Sequence, residues 1–254
     1  MILTDEVADR VHRLSVDIVR LTAKGYFKVR DDSAEAELGT GYGLYAGSGS
    51  PLTQVVGFAH RAPGDVQEIE RFFAPRTENW EITVTPFTDP GSFRELLDLG
   101  YRPGQFEGEL GQWIGRLPES PEADIREVSG DLSVFNEVSG RGWRENEGVA
   151  YEPGELERAV ALLPARRYIA YVDGLPAASS AMFEFNDSVI LAGATTRLPF
   201  RGRGLQSALL ARRLRDAGKG RFALMGAVPG SISHRNAQKA GFTPLYSKVT
   251  LMRH

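Results

Sequence analysis

Hydrophobic and polar positions change their spacing repeatedly along the C-terminal half of the chain, and each spacing predicts one kind of element. "DIREV" at 124–128 and the later runs "RYIAYVDG", "PAASSAMFEF" and "SVILAGATT" have the length and apolar content of strands. The pairs "DG" at 173–174 and "ND" at 186–187 favour tight turns between the three later runs. This part of the chain therefore predicts antiparallel strands.

Other segments have the period of a helix. "DLSVFNEVSGRGW" following a capping Asp131, "GELERAVALL", the segment 205–217 and "SHRNAQKAG" each place apolar residues on one helical face. "FALMGAV" is a continuous apolar run that predicts a strand buried on both faces, and "FTPLYSKVTLMR" predicts the closing strands. The order predicts an α+β fold in layers, with a mixed sheet flanked by helices and a strand–helix–strand crossover.

The stretch "RLPESPEAD" at 116–124 interrupts the apolar pattern and predicts a boundary between lobes at 1–118 and 123–254. Both lobes contain a strand, Pro-Gly-Ser, a short helix and a Gly-aromatic pair, with Gly100 and Gly241 at an offset of 141 residues. "GDVQEIERFF" predicts a further helix in the first lobe. The repeated order predicts a duplicated fold.

Composition limits the chemistry that the chain can perform. The 254 residues are 42% hydrophobic, which is enough for one large domain or two of about 120 residues each. Without cysteine, disulfides, thiolate zinc sites and a cysteine nucleophile are excluded, and with four histidines we expect no metal. No run approaches the roughly 18 apolar residues of a membrane span, and "MILTDEVADR" lacks a signal-peptide core. We expect a soluble, cytoplasmic protein that binds no membrane.

Charge is unevenly distributed along the chain. Residues 1–120 hold 12 Lys and Arg against 19 Asp and Glu, whereas residues 121–254 hold 18 against 14, within a net charge of −3. The acidic total argues against a nucleic-acid partner, while the local excess of positive charge suits a small polyanion.

The basic half contains "TTRLPFRGRGLQSALLARRLRDAG" at 195–218, where two glycines among arginines precede a predicted helix. A helix start has free N–H groups and a partial positive charge, so this turn predicts an anion site. Many glycine turns open helices without binding anything, which is the alternative. Arg212, Arg213 and Arg215 are expected on a solvated helix face, with a ligand-binding role as the alternative. A dinucleotide motif would need glycine where Ser207 stands, and no P-loop Gly-Lys-Ser/Thr is present.

The strand order with "RGRGLQ" at the crossover resembles the GNAT superfamily of acyl-CoA-dependent N-acyltransferases. The family signature, Arg/Gln-x-x-Gly-x-Gly/Ala, is matched by Arg201, Gly204 and, imperfectly, Gln206, and "RNAQKAGF" is similar to the family's later helix. The resemblance covers residues 123–254. It implies acetyl-CoA as cosubstrate and a small-molecule or peptide amine as acceptor, and it leaves the oligomeric state open.

The resemblance also implies where the cosubstrate binds. The backbone N–H groups of 202–207 would hold the pyrophosphate, and the splayed strand before the turn would pair with the pantetheine arm, where one N–H polarises the thioester carbonyl. The residues that it assigns to binding are Ala194, Thr195, Thr196, Arg201, Gly202, Arg203, Gly204, Leu205, Gln206, Ser207, Ser233 and Asn236.

The acid and the base cannot be transferred from the family. Many relatives have a glutamate where Ile190 stands and a tyrosine where Ala237 stands. A protonated amine must lose a proton before it attacks, so we consider Glu145 and Glu147, in "GRGWRENEG", as candidate bases, with Glu184 as an alternative. For the acid, the nearby hydroxyls are those of Ser233 and Tyr246, although Tyr246 has a simple packing role as its alternative.

Two classes of function follow from these residues. The first is an enzyme that moves an acetyl or other short acyl group from coenzyme A to a primary amine by direct attack. The second is a catalytically silent acyl-CoA-binding sensor or partner module, which the missing acid and base would permit. We expect one coenzyme A per chain, because the first lobe is acidic and lacks the arginine-flanked glycine turn.

Overall fold

The computed structural model describes residues 2–119, 121–145, 147–148 and 151–253, which form two compact units. The N-terminal unit comprises residues 2–108, 158–163 and the described residues from 246 onward, and the C-terminal unit comprises 109–157 and 164–245. Compared with the predicted lobes, the segments 109–118, 158–163 and 246–253 therefore lie in the opposite unit. A single boundary does not describe the units, because both β5 and β11, defined below, are divided between them.

The N-terminal unit has a mixed sheet with the strand order β1-β2-β3-β4-β11. β1, β2 and β3 are antiparallel, whereas β3 and β4 run parallel on either side of the crossover helix α2. Its core includes Ile69, Phe73 and Ile82, all fully buried. The elements of the first half of the chain are α1 (Asp5–Tyr26), β1 (Ala34–Leu38), β2 (Gly41–Tyr45), β3 (Gln54–Val56), α2 (Val66–Phe73), β4 (Glu81–Val84), α3 (Pro90–Asp98) and β5 (Tyr101–Trp113).

The C-terminal unit has the strand order β5-β10-β9-β8-β7-β6. Strands β6 to β9 form an antiparallel meander, and β9 and β10 run parallel across the crossover helix α6. Its core includes Met182, Val189 and Leu209, with exposures of 0%. The elements of the second half are β6 (Asp124–Val128), α4 (Ser133–Arg144), α5 (Glu155–Ala161), β7 (Arg166–Val172), β8 (Leu175–Phe185), β9 (Ser188–Thr196), α6 (Leu205–Ala217), β10 (Phe222–Ala227), α7 (Ile232–Lys239) and β11 (Thr243–Arg253), with a 3₁₀ turn at Leu198–Phe200.

The predicted α+β class, the mixed sheets and the crossover at the glycine turn are confirmed. "FTPLYSKVTLMR" forms one long strand, β11, where we expected several closing strands. Both units have the same order of antiparallel strands, crossover helix, parallel strand and short helix. The helix predicted for "GDVQEIERFF" is α2. Duplication itself stays an inference from this shared order.

Arg213 is a correction to the sequence analysis. Arg215 is exposed as expected, but Arg213 has only 2% of its surface exposed. It lies four residues after Leu209 on the apolar face of α6, so its position on the helix, and not its residue type, determined its burial. Arg212 is half-buried and bonds to Asp216 through Nε at 2.9 Å.

None of the helices in the described part of the chain has the length and apolarity that a membrane crossing requires. Among the described residues, no group of three or more His, Asp or Glu side chains is arranged to hold a metal ion.

Candidate functional site

The candidate site begins where β9 and β10 separate. The two strands pair over three positions, from Ser188↔Phe222 to Ile190↔Leu224. β10 then continues to Ala227 and β9 to Thr196, while β9 keeps its pairing with β8 on the other side. The last six residues of β9 thus present backbone groups toward an opening between parallel strands. This is the splay that the resemblance implied for Ala194, Thr195 and Thr196.

A β-bulge shapes this part of β9. Ser179 pairs with Thr195 and Ala181 pairs with Ala192, so Gly193 and Ala194 together oppose the single residue Ser180. Gly193 has a φ of 61°, in the left-handed region that a residue with a Cβ rarely adopts. The bulge sets the direction of the backbone groups from Ala194 onward, which are the groups assigned to the thioester.

The glycine turn lies directly after the splayed end of β9. Gly202 and Gly204 have φ values of 78° and 75°, and Gly204 is the N-cap of α6 without a side-chain cap. In the part of the chain that the structure describes, the N–H groups of residues 202–207 donate to no other protein group. A helix start leaves four such donors, so the turn adds two more. Six consecutive free donors at the positive end of a helix dipole form a site for an anion.

Side chains around the turn add positive charge. Arg203 is exposed, and no described residue forms a hydrogen bond or ion pair with it. Arg201 donates to the carbonyl of Thr196 at 3.1 Å and to Glu145 at 2.8 Å. The turn therefore has one unengaged guanidinium and one held by an exposed carboxylate. Glu145 contacts the side chain of Arg201 and accepts from none of the described N–H groups of the turn.

Both candidate bases are in ion pairs. Glu147 accepts from Nε and Nη2 of Arg197, which also donates to the carbonyl of Pro176, and this pairing raises the pKa of Arg197. Glu145 pairs with Arg201, and its φ of 53° at the end of α4 is in the left-handed region. Each candidate base is therefore already held by an arginine side chain. The role of Glu145 or Glu147 as the base stays a prediction.

The remaining binding residues lie on both sides of the splay. Gln206 donates to Oγ1 of Thr196 at 2.9 Å, and Leu205 is buried in the core of the unit. Thr195 is buried against α4, where a Cβ on Gly142 would overlap its side chain. Ser207 is half-buried in the first turn of α6. These contacts fix the inner wall of the site and use none of the N–H groups of residues 202–207.

Two residues of α7 were assigned to the site, and they differ in exposure. Ser233 is exposed and Asn236 is half-buried. Ala237 on the same helix is fully buried, and Ile190 is buried in β9, so neither position offers an acid or a base. Tyr246 belongs to the N-terminal unit, where its ring packs edge-on against Phe87 at 5.4 Å.

Glu184 is not placed as expected. It pairs with Val189 near the start of β9, at the closed end of the β9–β10 pair, and the splay lies at the other end. Its carboxylate forms ion pairs with Arg221 at 3.1 Å and with Arg166 at 3.9 Å. Glu184 therefore does not face the opening.

Three N–H donors of the corresponding loop in the N-terminal unit are occupied. His60 N–H donates to Thr40, Arg61 N–H to the carbonyl of Phe87, and Gly64 N–H to Ser92, at 2.8 to 2.9 Å. Asp65 caps α2 with its own carboxylate, which accepts from the N–H of Gln67. The helix start thus already has an anion of the protein.

An isolated β-bridge also joins the segment that follows β3 to the segment that follows β4. His60 pairs with Thr88, and Asp89 N–H donates to the carbonyl of Ala59. In the C-terminal unit the corresponding region is the splay between β9 and β10. The two crossovers share an element order, but the described N–H groups that could bind an anion are free at residues 202–207 and bonded at His60, Arg61 and Gly64.

A second titratable cluster lies beside this loop. The rings of His12 and His60 stack at 4.0 Å with an angle of 11°, and His60 also bonds to Asp9 at 3.0 Å. Burial, together with the neighbouring His60, lowers the pKa of His12 to about 4. His12 is therefore neutral at physiological pH and acts as packing for the loop.

Comparison with known proteins places the fold. No protein-family model and no curated protein matches the sequence. A GCN5-related N-acetyltransferase from Kribbella flavida superimposes with a TM-score of 0.64 and 18% identity, covering 94% of this chain and 95% of that one. A GCN5-related N-acetyltransferase from Sphaerobacter thermophilus gives a TM-score of 0.52 at 17% identity, with coverages of 69% and 59%. A tandem GNAT protein from the clavulanic acid biosynthesis pathway gives 0.52 at 16%, with coverages of 73% and 66%.

Proposed function

Because the chain has the fold of the GNAT N-acetyltransferases, we propose that it transfers an acetyl or other short acyl group from acetyl-CoA to a primary amine. The observation that carries the proposal is the row of free N–H groups at residues 202–207, beside the splay of β9 and β10. A diphosphate has the charge and the several acceptor oxygens that such a row requires.

The residues present suit coenzyme A in two further respects. Gly204 packs close to Pro121, so that a Cβ at this position would lie 3.3 Å from the proline ring. A larger residue in the turn would therefore crowd the approach of a ligand to its N–H groups. The exposed Arg203 supplies a cation that no described residue uses. We propose that backbone groups of Ala194–Thr196 bind the pantetheine arm along the open edge of β9.

The reaction needs two groups from the chain. One accepts a proton from the amine, and the other donates a hydrogen bond to the carbonyl oxygen when that oxygen becomes negative. The ammonium group loses one proton to a base, and its nitrogen forms a bond to the carbonyl carbon. The carbon–sulfur bond then breaks, and the leaving thiolate takes the second proton that the nitrogen loses, directly or through solvent, which gives the amide and the free thiol. A backbone N–H of Ala194–Thr196 would stabilise the negative charge that develops on the carbonyl oxygen. We propose Glu145 or Glu147 as the acceptor of the ammonium proton once its arginine turns to the diphosphate.

The alternative function is a catalytically silent acyl-CoA-binding module. Two observations favour it: Ile190 and Ala237 occupy the positions where many relatives have a base and an acid, and both loop glutamates are in ion pairs. Such a protein would bind acetyl-CoA with the same turn and release no thiol.

Thiol release with a panel of amines separates the two functions. The chain has no cysteine, so a thiol-reactive dye reports liberated coenzyme A alone. We expect amine-dependent thiol release that stops when Gly204 is replaced by glutamate. Tight acetyl-CoA binding with no thiol release for any amine would support the silent module, and an absence of acetyl-CoA binding would refute both.

A further inference from the structure

Arg213 is a buried cation that the proposed site does not yet use. It lies on α6 with 2% of its surface exposed, and it forms no ion pair with a described carboxylate. Asp216, the acid on the same helix, is already engaged by Arg166, Arg212 and Tyr168. Burial lowers the pKa of Arg213 to about 10, which still leaves it charged at neutral pH. Charged side chains are rarely buried without a partner.

The donors of Arg213 point at the base of the bulge in β9. Nη1 lies 3.0 Å from the carbonyl of Ala181 and 3.5 Å from that of Ala192, and Nε lies 3.3 Å from the carbonyl of Leu209. Ala181 and Ala192 form the last regular pair before Gly193 turns the strand. The guanidinium therefore holds both strands at the position where the bulge begins.

Packing alone does not require a charge at this position. Replacing buried ionic groups by apolar side chains of similar volume is often neutral or stabilising, because the cost of removing the charge from water disappears. We infer that Arg213 is a positioning residue for acyl transfer: it fixes the bulge that directs the backbone of Ala194–Thr196, and its charge favours the oxygen anion formed there. This inference rests on the proposed function.

The size of the effect follows from the strand geometry. Ala192 and Thr195 are three positions apart, about 10 Å at about 3.3 Å per residue. A unit charge at about that distance, with an effective dielectric constant of about 20, changes the rate by about tenfold. The effect depends on charge that develops during the reaction, so we expect the affinity for acetyl-CoA to change by less than about threefold.

The test uses the full chain with R213M and R213K, and R215M as the matched control. R215M makes the same change of residue type and removes one positive charge from the same helix, but Arg215 is exposed. We expect R213M to lower kcat about tenfold with little change in the calorimetric Kd for acetyl-CoA, and R215M to change neither. A buried lysine deprotonates near neutral pH, so the kcat of R213K relative to the native protein should fall from pH 6 to pH 9.

An unchanged kcat in R213M, a parallel loss of kcat and affinity, or a pH-independent ratio for R213K would overturn the inference. Hydrogen exchange provides a test that does not depend on activity: the amides of residues 192–196 should exchange faster in R213M or R213K than in R215M. Equal exchange would also overturn it. A native protein that transfers no acyl group would refute the proposed function, while the exchange result still decides whether Arg213 fixes the bulge.

Discussion

Replacing Gly204 by glutamate tests the anion site at its centre. Gly204 has a φ of 75° and caps α6, and a Cβ here would lie 3.3 Å from Pro121. The variant would place a carboxylate beside the N–H groups that we propose for the diphosphate. Like charges about 5 Å apart repel by about 0.8 kcal/mol in water and about 3 kcal/mol at an effective dielectric constant of about 20. We expect acetyl-CoA affinity to fall at least about tenfold, or about 1.4 kcal/mol.

The matched control is G218E, at the other end of α6. Gly218 also has a positive φ, of 88°, and its ψ of 157° lies in a region that essentially only glycine adopts, so G218E carries at least as much backbone strain as G204E. The thirteen residues of α6 separate the two sites by about 20 Å, and the carboxylate that G218E introduces is screened from the turn at that distance. Calorimetry should show weak binding for G204E and native binding for G218E, with circular dichroism confirming that both are folded. Native affinity in a folded G204E would refute the reasoning.

The remaining predictions concern proton transfer, stoichiometry and acid stability. E147Q or E145Q should lower kcat about 10²–10⁴-fold with acetyl-CoA affinity nearly unchanged, and full activity in the double variant would remove this loop from the mechanism. Titration with acetyl-CoA should give one site per chain, since Asp65 already caps the corresponding helix of the N-terminal unit; two equivalent sites would contradict this. Because the folded pKa of His12 is about 4 and the unfolded value about 6.5, the unfolded state binds more protons between them. His12 should therefore lower the free energy of unfolding by about 1–2 kcal/mol from pH 6.5 to pH 4, after allowance for solvent screening, and H12Q should reduce the total slope in urea titrations by that amount. An equal slope in H12Q would assign it to other groups.

The elements of the second half were predictable because their periods are strong. The runs that became β7 and β9 have β-branched residues, turn pairs separate both of them from β8, and α6 has both a glycine start and an apolar face. The two glycines of the turn adopt positive φ, as the sequence indicated. Local chemistry was sufficient for these features.

Features that depend on tertiary contacts were not predictable. The pairs Glu145–Arg201 and Glu147–Arg197 join residues 56 and 50 positions apart, and no spacing rule connects them. The bulge at Gly193 had one signal, a glycine inside a strand, which also fits an ordinary strand position. Arg213 lies on the apolar face of its helix, and a helical projection that used position before residue type would have predicted its burial. The division of β5 and β11 between the two units leaves no local mark in the sequence.

Hydrogen exchange of the glycine turn tests the central claim most directly. The N–H groups of residues 202–207 have no protein acceptor in the described chain, whereas those of His60, Arg61 and Gly64 already have one. Saturating acetyl-CoA should therefore slow exchange strongly at residues 202–207 and leave residues 60–64 unchanged. Unchanged exchange at 202–207 under saturation, or protection confined to 60–64, would contradict the account.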